Sequence, residues 1–336
     1  MQVARFPPSP DSGGSEKSAG SPRWPQPVVA LGNFDGLHRG HMKIIDRVRR
    51  RAAERGGTAV AMTFDPHPPR VVRPDKAPAL IMTLEQKLEA FERAGMQGVA
   101  IVAFTREMSL WPPERFVETV LAGWLRASEV WTGANFLFGH DRAGNFSLLR
   151  MLGEQHDFRA EKIDPVRYKD FVVSSTRIRR LITEGRVDEA AALLGHHYFI
   201  DGVIVAGDGR GRQIGFPTAN LRTSNELLPE RGVYATYALL TPDGRTGGER
   251  IAYPAVTNIG VRPTFGGDST TVHIETHVLF DAEPRTPNVD LYGQGMRLLF
   301  VQRIREEQTF DGVEALTARV RVDIDEARAL FGQVSL

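Results

Sequence analysis

Residues 28–41, which read VVALGNFDGLHRGH, decide the fold of the first half of this chain. Val28 to Leu31 form an apolar run with the length of a buried strand, and a glycine-rich turn follows. From Met42 to Val48 apolar residues recur at helical spacing, with basic residues between them. A strand that ends in glycines and feeds a helix presents free backbone N–H groups and the positive end of a helix dipole at one point. The stretch therefore predicts an α/β sheet with a phosphate site at its edge.

Two histidines distinguish this loop from other glycine-rich phosphate loops. His38 and His41 are three residues apart, so they share one side of the first helical turn if the helix begins near Gly40. Imidazolium groups there would donate to phosphate oxygens while charge builds on a nucleotide in its transition state. The loop contains neither GxGxxG nor GxxxxGK[ST]. Half of a zinc site and ordinary helix-start residues stay open as alternatives, although the chain has no cysteine and no HExxH.

Length and charge limit the functional classes. A chain of 336 residues suggests two domains, and a formal charge of +1 argues against a general nucleic-acid binder. The arginines of the first helix predict a solvated face rather than a polyanion site (Arg47, Arg49, Arg50, Arg51 and Arg55). No apolar run approaches the length of a membrane span, and the absence of cysteine fits a reducing compartment. We expect a soluble, cytoplasmic protein without a nucleic-acid or membrane partner, and its oligomeric state stays open.

The composition and the residue patterns along the chain predict three segments. Residues 1–25 are rich in Pro, Ser and Gly, and we expect them to be a disordered extension. Residues 26–185 alternate strand and helix patterns, which predicts a parallel sheet with crossover helices. Residues 186–336 carry short alternating strands separated by glycine-rich turns, which predicts a closed antiparallel barrel. A helix over residues 312–331 follows the last of these strands.

Other chemical signals lie in loops. The run DPHP at residues 65–68 follows a predicted strand, and SSTRIR at 174–179 opens a helix whose hydroxyls suit an N-cap and whose arginines suit phosphate. In the second half, Thr218 and Asn220 share one face if their segment is extended, and their oxygens suit Mg²⁺ and phosphate. Glu275 lies among apolar and β-branched residues of a strand, which makes it either a candidate base or an exposed residue of a half-buried strand.

Taken together, these stretches carry a family resemblance. The run LGNFDGLHRGH is similar to the HxGH signature of nucleotidylyltransferases and resembles the first module of the bifunctional bacterial riboflavin kinase/FMN adenylyltransferase (FAD synthetase) family. The later motifs of that family match in order: DPHP at 65–68, GANFLFG at 133–139, SSTRIR at 174–179, GDGRGRQIGFPTAN at 207–220, NIGVRPTF at 258–265, ETH at 275–277, LYG at 291–293, and Arg305 with Phe310.

The resemblance implies a fold and two reactions. The fold is a Rossmann-like nucleotidylyltransferase domain followed by an antiparallel β-barrel riboflavin kinase domain with a C-terminal helix. The barrel domain would phosphorylate riboflavin to FMN, and the first domain would adenylylate FMN to FAD with release of pyrophosphate. ATP is the second substrate of both reactions, and Mg²⁺ is the implied cofactor in both sites.

The resemblance also implies roles for particular residues. His38 and His41 would stabilise the transition state at the α-phosphate, and Glu275 would deprotonate the ribityl 5′-hydroxyl. Thr218 and Asn220 would bind Mg²⁺ with ATP. Nucleotide and phosphate contacts would come from a larger set (Gly32, Phe34, Asp35, Gly36, Gly40, Ser175, Thr176, Arg179, Gly211 and Gly215). Flavin contacts would come from Phe64, His67, Asn135 and Arg305.

Two departures from the family pattern leave alternatives open. Asn135 stands where Asp is more usual, so a charge-dependent role there is in doubt, and the segment 281–290 is longer than usual. One alternative is an enzyme that retains only one of the two activities. Another is a flavin-binding regulatory protein with vestigial sites, and a third is a cytidylyltransferase of another substrate.

Overall fold

The computed structural model describes residues 1–7, 22–207, 209–241, 250–263, 270–279 and 291–333. The chain divides into two compact units, Met1–Ser175 and Thr176–Leu336. Each unit has a hydrophobic core of its own. In the described part of the chain, no helix is both long and apolar enough to cross a bilayer.

The first unit is an α/β sheet with helical crossovers. Its six sheet strands are β1 (Gln2–Phe6), β2 (Val28–Leu31), β3 (Ala59–Phe64), β4 (Gly98–Val102), β5 (Glu129–Gly133) and β6 (Arg159–Ile163), and a small hairpin of β7 (Arg167–Tyr168) and β8 (Phe171–Val172) follows. The helices are α1 (Arg39–Arg55), α2 (Pro68–Val72), α3 (Leu84–Arg93), α4 (Pro113–Phe116), which continues as a π-helix over Val117–Trp124, and α5 (Phe146–Gln155). Short 3₁₀ turns cover Pro74–Lys76, Met108–Leu110 and His140–Arg142.

The order of the strands places the glycine-rich loop at a reversal in the sheet. All six strands are parallel, in the spatial order β1-β4-β3-β2-β5-β6. From β2 the chain builds outward through β3 and β4, and then returns to the other side of β2 to form β5. In open parallel sheets, ligands bind outside the carboxyl ends of the strands at such a switch point. The loop after β2 therefore lies where a ligand crevice is expected.

The prediction that residues 1–25 are disordered is wrong for the strand β1. Gln2–Phe6 pairs in parallel with Gly98–Val102, so the backbone groups at the free edge of β4 are satisfied by the amino-terminal residues. Trp24 is buried, and its indole Nε1 donates to the Gln2 side chain at 2.7 Å. Composition misses β1 because edge pairing depends on a distant partner. Residues 8–21 of the predicted extension lie outside the described residues.

The basic face of α1 is also not wholly solvated, because Arg51 reaches a buried carboxylate. Glu129 opens β5 with no exposed surface, and it accepts from the Arg51 Nε at 3.1 Å and the Trp131 Nε1 at 3.0 Å. Burial by itself raises the pKa of this carboxyl, but the hydrogen bonds from Arg51 and Trp131, with the charges of Arg51 and Arg55, outweigh it and lower the pKa. The pair fastens α1, the helix that carries the histidines, to the sheet.

Removing this carboxylate should destabilise the first unit. We expect Glu129→Ala to lower the free energy of unfolding by about 3 kcal/mol, because the Arg51 guanidinium and the indole N–H lose a buried partner. The measurement is urea unfolding followed by tryptophan fluorescence, which reports on the first unit alone since all four tryptophans lie in it. Glu54→Ala removes a mostly exposed partner of Arg51 and should cost under about 1 kcal/mol. Equal losses in the two variants would contradict the assignment.

The second unit is a closed barrel with a helix against it. After α6 (Ser175–Thr183) and α7 (Val187–Leu194) come β9 (Tyr198–Val205), α8 (Arg210–Gln213), β10 (Ala219–Thr223), β11 (Gly232–Leu240), β12 (Ile251–Pro263), β13 (Thr270–Val278), β14 (Gly295–Arg305) and α9 (Val313–Phe331). The antiparallel barrel closes in the order β10-β13-β12-β11-β14-β9. The predicted fold class, a Rossmann-like domain followed by a barrel with a C-terminal helix, is confirmed.

Alternation along the strands separates the barrel interior from the face under α9. Thr236, Thr257 and Thr276 are fully buried, and their hydroxyls lie 2.8 Å and 3.0 Å apart in a chain across three strands. Residues of the opposite parity form the outer face, where Ile324 and Ala327 of α9 pack. Outward-facing side chains of the barrel that α9 does not cover therefore remain available for a site.

Candidate active sites

The two histidines form a stacked pair at the start of α1. His38 is the N-cap, and its Nδ1 accepts from the backbone N–H of His41 at 3.3 Å. The two rings lie parallel within 13°, with their centroids 3.5 Å apart. A Cβ on Gly40 would stand 3.1 Å from the His38 ring, so glycine leaves room for this stack. Because Nδ1 accepts, the proton of the His38 ring is on Nε2, which is free to donate to a ligand.

Burial keeps both imidazoles neutral in the free protein. It lowers the pKa of His38 to about 4, although a backbone hydrogen bond and the charge of Asp35 oppose the change. The pKa of His41 lies well below its usual range, because of burial and then the charges of His38 and Lys87. Near pH 7 the pair therefore presents neutral N–H donors in the free protein, and imidazolium groups beside a bound phosphate stay a prediction. The Nδ1 of His41 is buried without a hydrogen-bond partner in the described structure, so the site holds an unused polar atom.

Asp35 and Ser175, two of the predicted phosphate contacts, hold the loop itself. The Asp35 carboxylate accepts from the backbone N–H groups of Ile81 and Met82, at 3.0 Å and 3.2 Å. The Ser175 hydroxyl donates to the Asp35 carbonyl at 2.8 Å. These bonds tie the glycine-rich loop to the segment before α3 and to Ser175, the last residue of the first unit. Direct contact of the two residues with phosphate stays a prediction.

Phe34 supports the histidine pair from below. The ring is completely buried and meets His41 edge-on at 5.2 Å and Phe91 at 5.4 Å. A Cβ on Gly32 would stand 3.3 Å from this ring, and Gly36 has a φ of +87°, which favours glycine. The glycines at 32, 36 and 40 thus let the loop fold tightly around Phe34 and His38. The backbone N–H of Gly32 already donates to the Met62 carbonyl at 3.2 Å, so the predicted phosphate donors among these glycines are the N–H groups of Gly36 and Gly40.

Lys87 is a site residue that the sequence reasoning missed. It is 4% exposed on α3, and its Nζ donates to the Asn33 carbonyl at 2.9 Å. Thr63, at the end of β3, donates to the same carbonyl at 3.1 Å. The available signal was a lysine one helical turn before Phe91, on the face of α3 that the pattern assigns to the core.

An aromatic cluster lies beyond the carboxyl ends of β3, β4 and β5. Phe64 ends β3 and meets Phe104 edge-on at 5.9 Å, while Phe136, after β5, stacks on Phe138 at 5.7 Å. Phe104 and Phe136 are partly exposed, so the cluster offers aromatic surface to a ligand. Among the other predicted flavin contacts, His67 is buried at the N-cap of α2 and Asn135 is exposed in the turn after β5.

Thr176 and Arg179 lie on α6, past the boundary at which the second unit begins. Thr176 is exposed and Arg179 is half-buried. Their predicted contact with the triphosphate stays a prediction.

In the second unit, strand register places amides on both sides of Glu275. Asn220 of β10 and Asn258 of β12 are the direct cross-strand partners of Glu275 on β13. Its neighbours Ile274 and Thr276 are buried toward the interior, so the half-buried Glu275 side chain belongs to the outer wall. Neighbouring strands lie about 4.8 Å apart, close enough for amide groups to orient a carboxylate between them.

The glycine-rich segment before β10 folds onto Thr218 and Asn220. A Cβ on Gly207 would stand 2.1 Å from the Asn220 amide, and one on Gly211 would stand 3.1 Å from the Thr218 hydroxyl. Gly215 has a φ of +86°, which lets the chain turn back before β10. A Cβ on Gly211 would also stand 2.3 Å from the Phe216 carbonyl oxygen, so glycine at 207 and 211 lets the backbone approach the two predicted metal ligands. Gly207 and Gly211 thus lie close to Asn220 and Thr218, and the binding of a metal ion by these two residues stays a prediction.

A cavity of about 710 Å³ opens beside Thr218. Thr218 and Phe216 line one side, and aromatic and aliphatic side chains line other parts, among them His277, Leu279, Tyr292 and Ile324 of α9. Four charged side chains also line the cavity (Arg212, Arg321, Asp325 and Arg328). His277 is held by the Pro217 carbonyl, 2.8 Å from its Nδ1. Its size, its apolar and aromatic side chains and its charged rim suit a flat aromatic ligand with a polar or anionic end near Thr218.

Arg305 has a structural partner. Its Nε lies 2.9 Å from the Asp323 Oδ1, and one terminal nitrogen lies 2.9 Å from the Oδ2. Asp323 is 2% exposed on α9, so the two-point pair fastens that helix to β14. The predicted flavin contact of Arg305 is therefore not part of the arrangement seen here and stays a prediction.

No cluster of three or more His, Asp or Glu side chains in the described ranges is arranged to hold a metal ion. Asn258, which flanks Glu275, is a second residue that sequence reasoning left without a role. The predicted long loop over residues 281–290 and the end of the NIGVRPTF motif at 264–265 lie outside the described residues.

Comparison with known proteins matches both units. A family model described as FAD synthetase matches residues 21–177, and one described as riboflavin kinase matches residues 194–331. Two relatives named bifunctional riboflavin kinase/FMN adenylyltransferase are those of Pseudomonas fluorescens, 35% identical over 90% of this chain and 92% of its own, and of Bacillus subtilis, 34% identical over 91% and 93%.

The fold of the whole chain also matches a solved structure. A chain titled as a macrolide-efflux protein from Streptococcus pneumoniae superposes with a TM-score of 0.81 and 26% identity, over 98% of this chain and 99% of that one. The relatives match along nine-tenths of the sequence, and both family models find their half of it. The chain belongs to the family of bifunctional riboflavin kinase/FMN adenylyltransferases.

Proposed function

We propose that the two reactions of this family are divided between the two sites described above. The barrel unit phosphorylates riboflavin with ATP to give FMN beside Glu275, and the sheet unit adenylylates FMN with a second ATP beside the histidine pair. The observation that carries the proposal is the His38–His41 stack, which caps α1 at the switch point of the parallel sheet. Approximate domain limits of 26–185 and 186–336 belong to the same proposal.

Adenylyl transfer requires positioning and charge stabilisation rather than a covalent enzyme intermediate. A phosphate oxygen of FMN attacks the α-phosphorus of ATP, the new P–O bond forms, and the bond to the β-phosphate breaks with release of pyrophosphate. His38 donates to the phosphate through Nε2, and the amino-terminal end of the α1 dipole lies at the same residue, which caps the helix. Neutral donors, held by the stack and by Phe34, are in place before charge develops.

The flavin of FMN has a matching surface in the same unit. Phe64 ends β3, Phe104 follows the neighbouring β4, and Phe136 follows β5 on the other side of β2. Phe104 and Phe136 are partly exposed. An isoalloxazine ring stacked there would leave its phosphate on the side of the α1 start. His67 and Asn135, which follow β3 and β5, complete the proposed flavin contacts.

Phosphorylation in the barrel unit needs a base next to a nucleotide. Glu275 accepts the proton of the ribityl 5′-hydroxyl, and the resulting oxygen attacks the γ-phosphorus of ATP, with ADP as the leaving group. Asn220 and Asn258 flank the carboxylate and orient it. The cavity beside Thr218 would hold the flavin ring, whose ribityl chain would run toward Glu275.

Mg²⁺ fits the donors of the barrel site. The Thr218 hydroxyl and the Asn220 amide oxygen are hard ligands without charge, which suits an ion that takes its remaining ligands from phosphates and water. Gly207 and Gly211 bring backbone onto these two side chains and leave room for phosphate beside them. When bound, Mg²⁺ neutralises phosphate charge and aligns the transferred group.

A cytoplasmic location is a further proposal, which rests on the absence of cysteine.

Product analysis tests the proposal as a whole. Purified protein with riboflavin, ATP and Mg²⁺ should form FMN first and FAD second. FMN, ATP and Mg²⁺ without riboflavin should yield FAD and one pyrophosphate per turnover. Chelation of the metal should stop both reactions. Mass spectrometry identifies the products. Accumulation of FMN without FAD would favour an enzyme with a single active half, and no turnover would favour a flavin-binding protein.

A further inference from the structure

Lys87 is a buried cation in a place where packing alone would favour an apolar side chain. It is 4% exposed, and burial lowers its pKa although the charges of Asp35 and Asp65 oppose the change. Taking an ammonium out of water destabilises a fold unless the group is paired or has a use. The Asn33 carbonyl that it contacts already accepts from Thr63. The hydrogen bond to the Asn33 carbonyl therefore does not by itself explain why a charged ammonium group is buried at this position.

The position of Lys87 connects α3 to three successive residues of the catalytic loop. Its Nζ fixes the Asn33 carbonyl, Phe91 one turn later meets Phe34 edge-on, and the backbone just before α3 binds the Asp35 carboxylate. Phe34 in turn supports His41. The helix thus braces the loop that sets the His38–His41 stack.

We propose that Lys87 is a positioning residue for adenylyl transfer: its ammonium fixes the loop at Asn33 and supplies positive charge behind the histidine pair, where the phosphates of ATP and FMN meet. The inference rests on the proposed function of the histidine site. Because the charge acts through the placement of the histidines and on a polyanion, its loss should affect the reaction more than the fold. No direct contact between Lys87 and substrate is required.

Two variants separate the charge of Lys87 from the packing of its aliphatic side chain. Lys87→Met removes the ammonium, and Lys87→Arg keeps a cation and an N–H donor. We expect Lys87→Met to lower kcat for FAD formation by about 100-fold with a smaller effect on the KM for ATP, since a displaced catalytic group acts on the transition state. Lys87→Arg should recover a large part of that loss. Glu89→Gln, which removes a charge from the same helix away from the loop, is the matched control and should leave the rate unchanged.

Riboflavin phosphorylation, measured on the same full-length preparations, reports whether the protein is intact. The inference stands if Lys87→Met loses FAD formation while FMN formation stays within about twofold and Lys87→Arg restores activity. It falls if Lys87→Met keeps FAD formation within about threefold, or if Met and Arg are equally impaired, which would indicate side-chain packing. If Lys87→Met does not accumulate as folded protein, Lys87→Gln is judged by the same criteria.

The failure of this inference is distinguishable from failure of the proposed function. If the double variant of His38 and His41 still makes FAD, the site itself is misassigned. If the histidine variant is inactive and Lys87→Met is not impaired, only the role of Lys87 is rejected.

Discussion

Replacing both His38 and His41 by alanine should lower FAD formation from FMN and ATP by about 1,000-fold, while riboflavin phosphorylation stays within about twofold. A single preorganised donor to a developing charge is worth about 100- to 1,000-fold in kcat, and two groups that act as a unit lose less than the product of their separate effects. The stack makes the pair such a unit, because the His38 ring is held by the His41 N–H and lies on the His41 ring. Separate initial-rate assays for FMN and FAD give the measurement.

The same unit offers a matched control for the histidine pair. His140 is exposed and His156 is partly exposed, and the double change of these two to alanine should leave both rates unchanged. Tryptophan fluorescence of each variant checks the fold of the first unit, where every tryptophan lies. Loss of both activities from a folded His38/His41 variant would show that the two reactions are not divided as proposed.

Changing Glu275 to glutamine should produce the opposite pattern. The amide keeps the shape of the side chain but cannot take a proton, so FMN formation should fall by about 1,000-fold, within the range for general-base catalysis. FAD formation from supplied FMN should continue at the normal rate, and Glu275→Ala should behave in the same way. The assay starts once with riboflavin and once with FMN.

Two features of the barrel sharpen this test. Asn220 and Asn258 remain beside residue 275 in the glutamine variant, so the cross-strand row is retained and only the acid–base function is removed. Glu314→Gln, at an exposed position of α9, is the control for loss of a carboxylate in the same unit. Normal FMN formation by Glu275→Gln would assign the base elsewhere.

Much of the fold follows from local signals. The last helix, predicted over residues 312–331, covers Val313–Phe331, and the helix predicted to open at SSTRIR begins at Ser175. Caps and periodicity are written in neighbouring residues, which is why they can be read without tertiary context. The elements that the sequence analysis left out include β1, β6, α5 and β10, and also the short elements α2, β7, β8 and α8. Pairing with a distant partner defines β1, β6 and β10, and α5 lies between β5 and the missed β6.

Some residues of the two candidate sites can likewise be predicted from the sequence, and others only from the tertiary structure. The histidine loop, the Thr218–Asn220 pair and Glu275 stand out as residue types at particular spacings. Lys87 does not, because nothing in its neighbours shows that its helix face is turned toward Asn33. Asn258 acquires its place only through the register of β12 against β13. The neutral state of His38 depends on burial, a property of the folded environment that the spacing of two histidines does not contain.

By itself, the sequence determined two units, the order of their strands and helices and the loops that carry the chemistry. Apolar periodicity and glycine placement act over a few residues, so they can be read directly. Only the tertiary structure decided which carboxylates already accept hydrogen bonds within the protein, as Asp35 and Glu129 do. It also decided which cations are buried and which side chains flank Glu275 on the neighbouring strands. These outcomes depend on register and desolvation between segments far apart in the chain, and both arise when the segments pack.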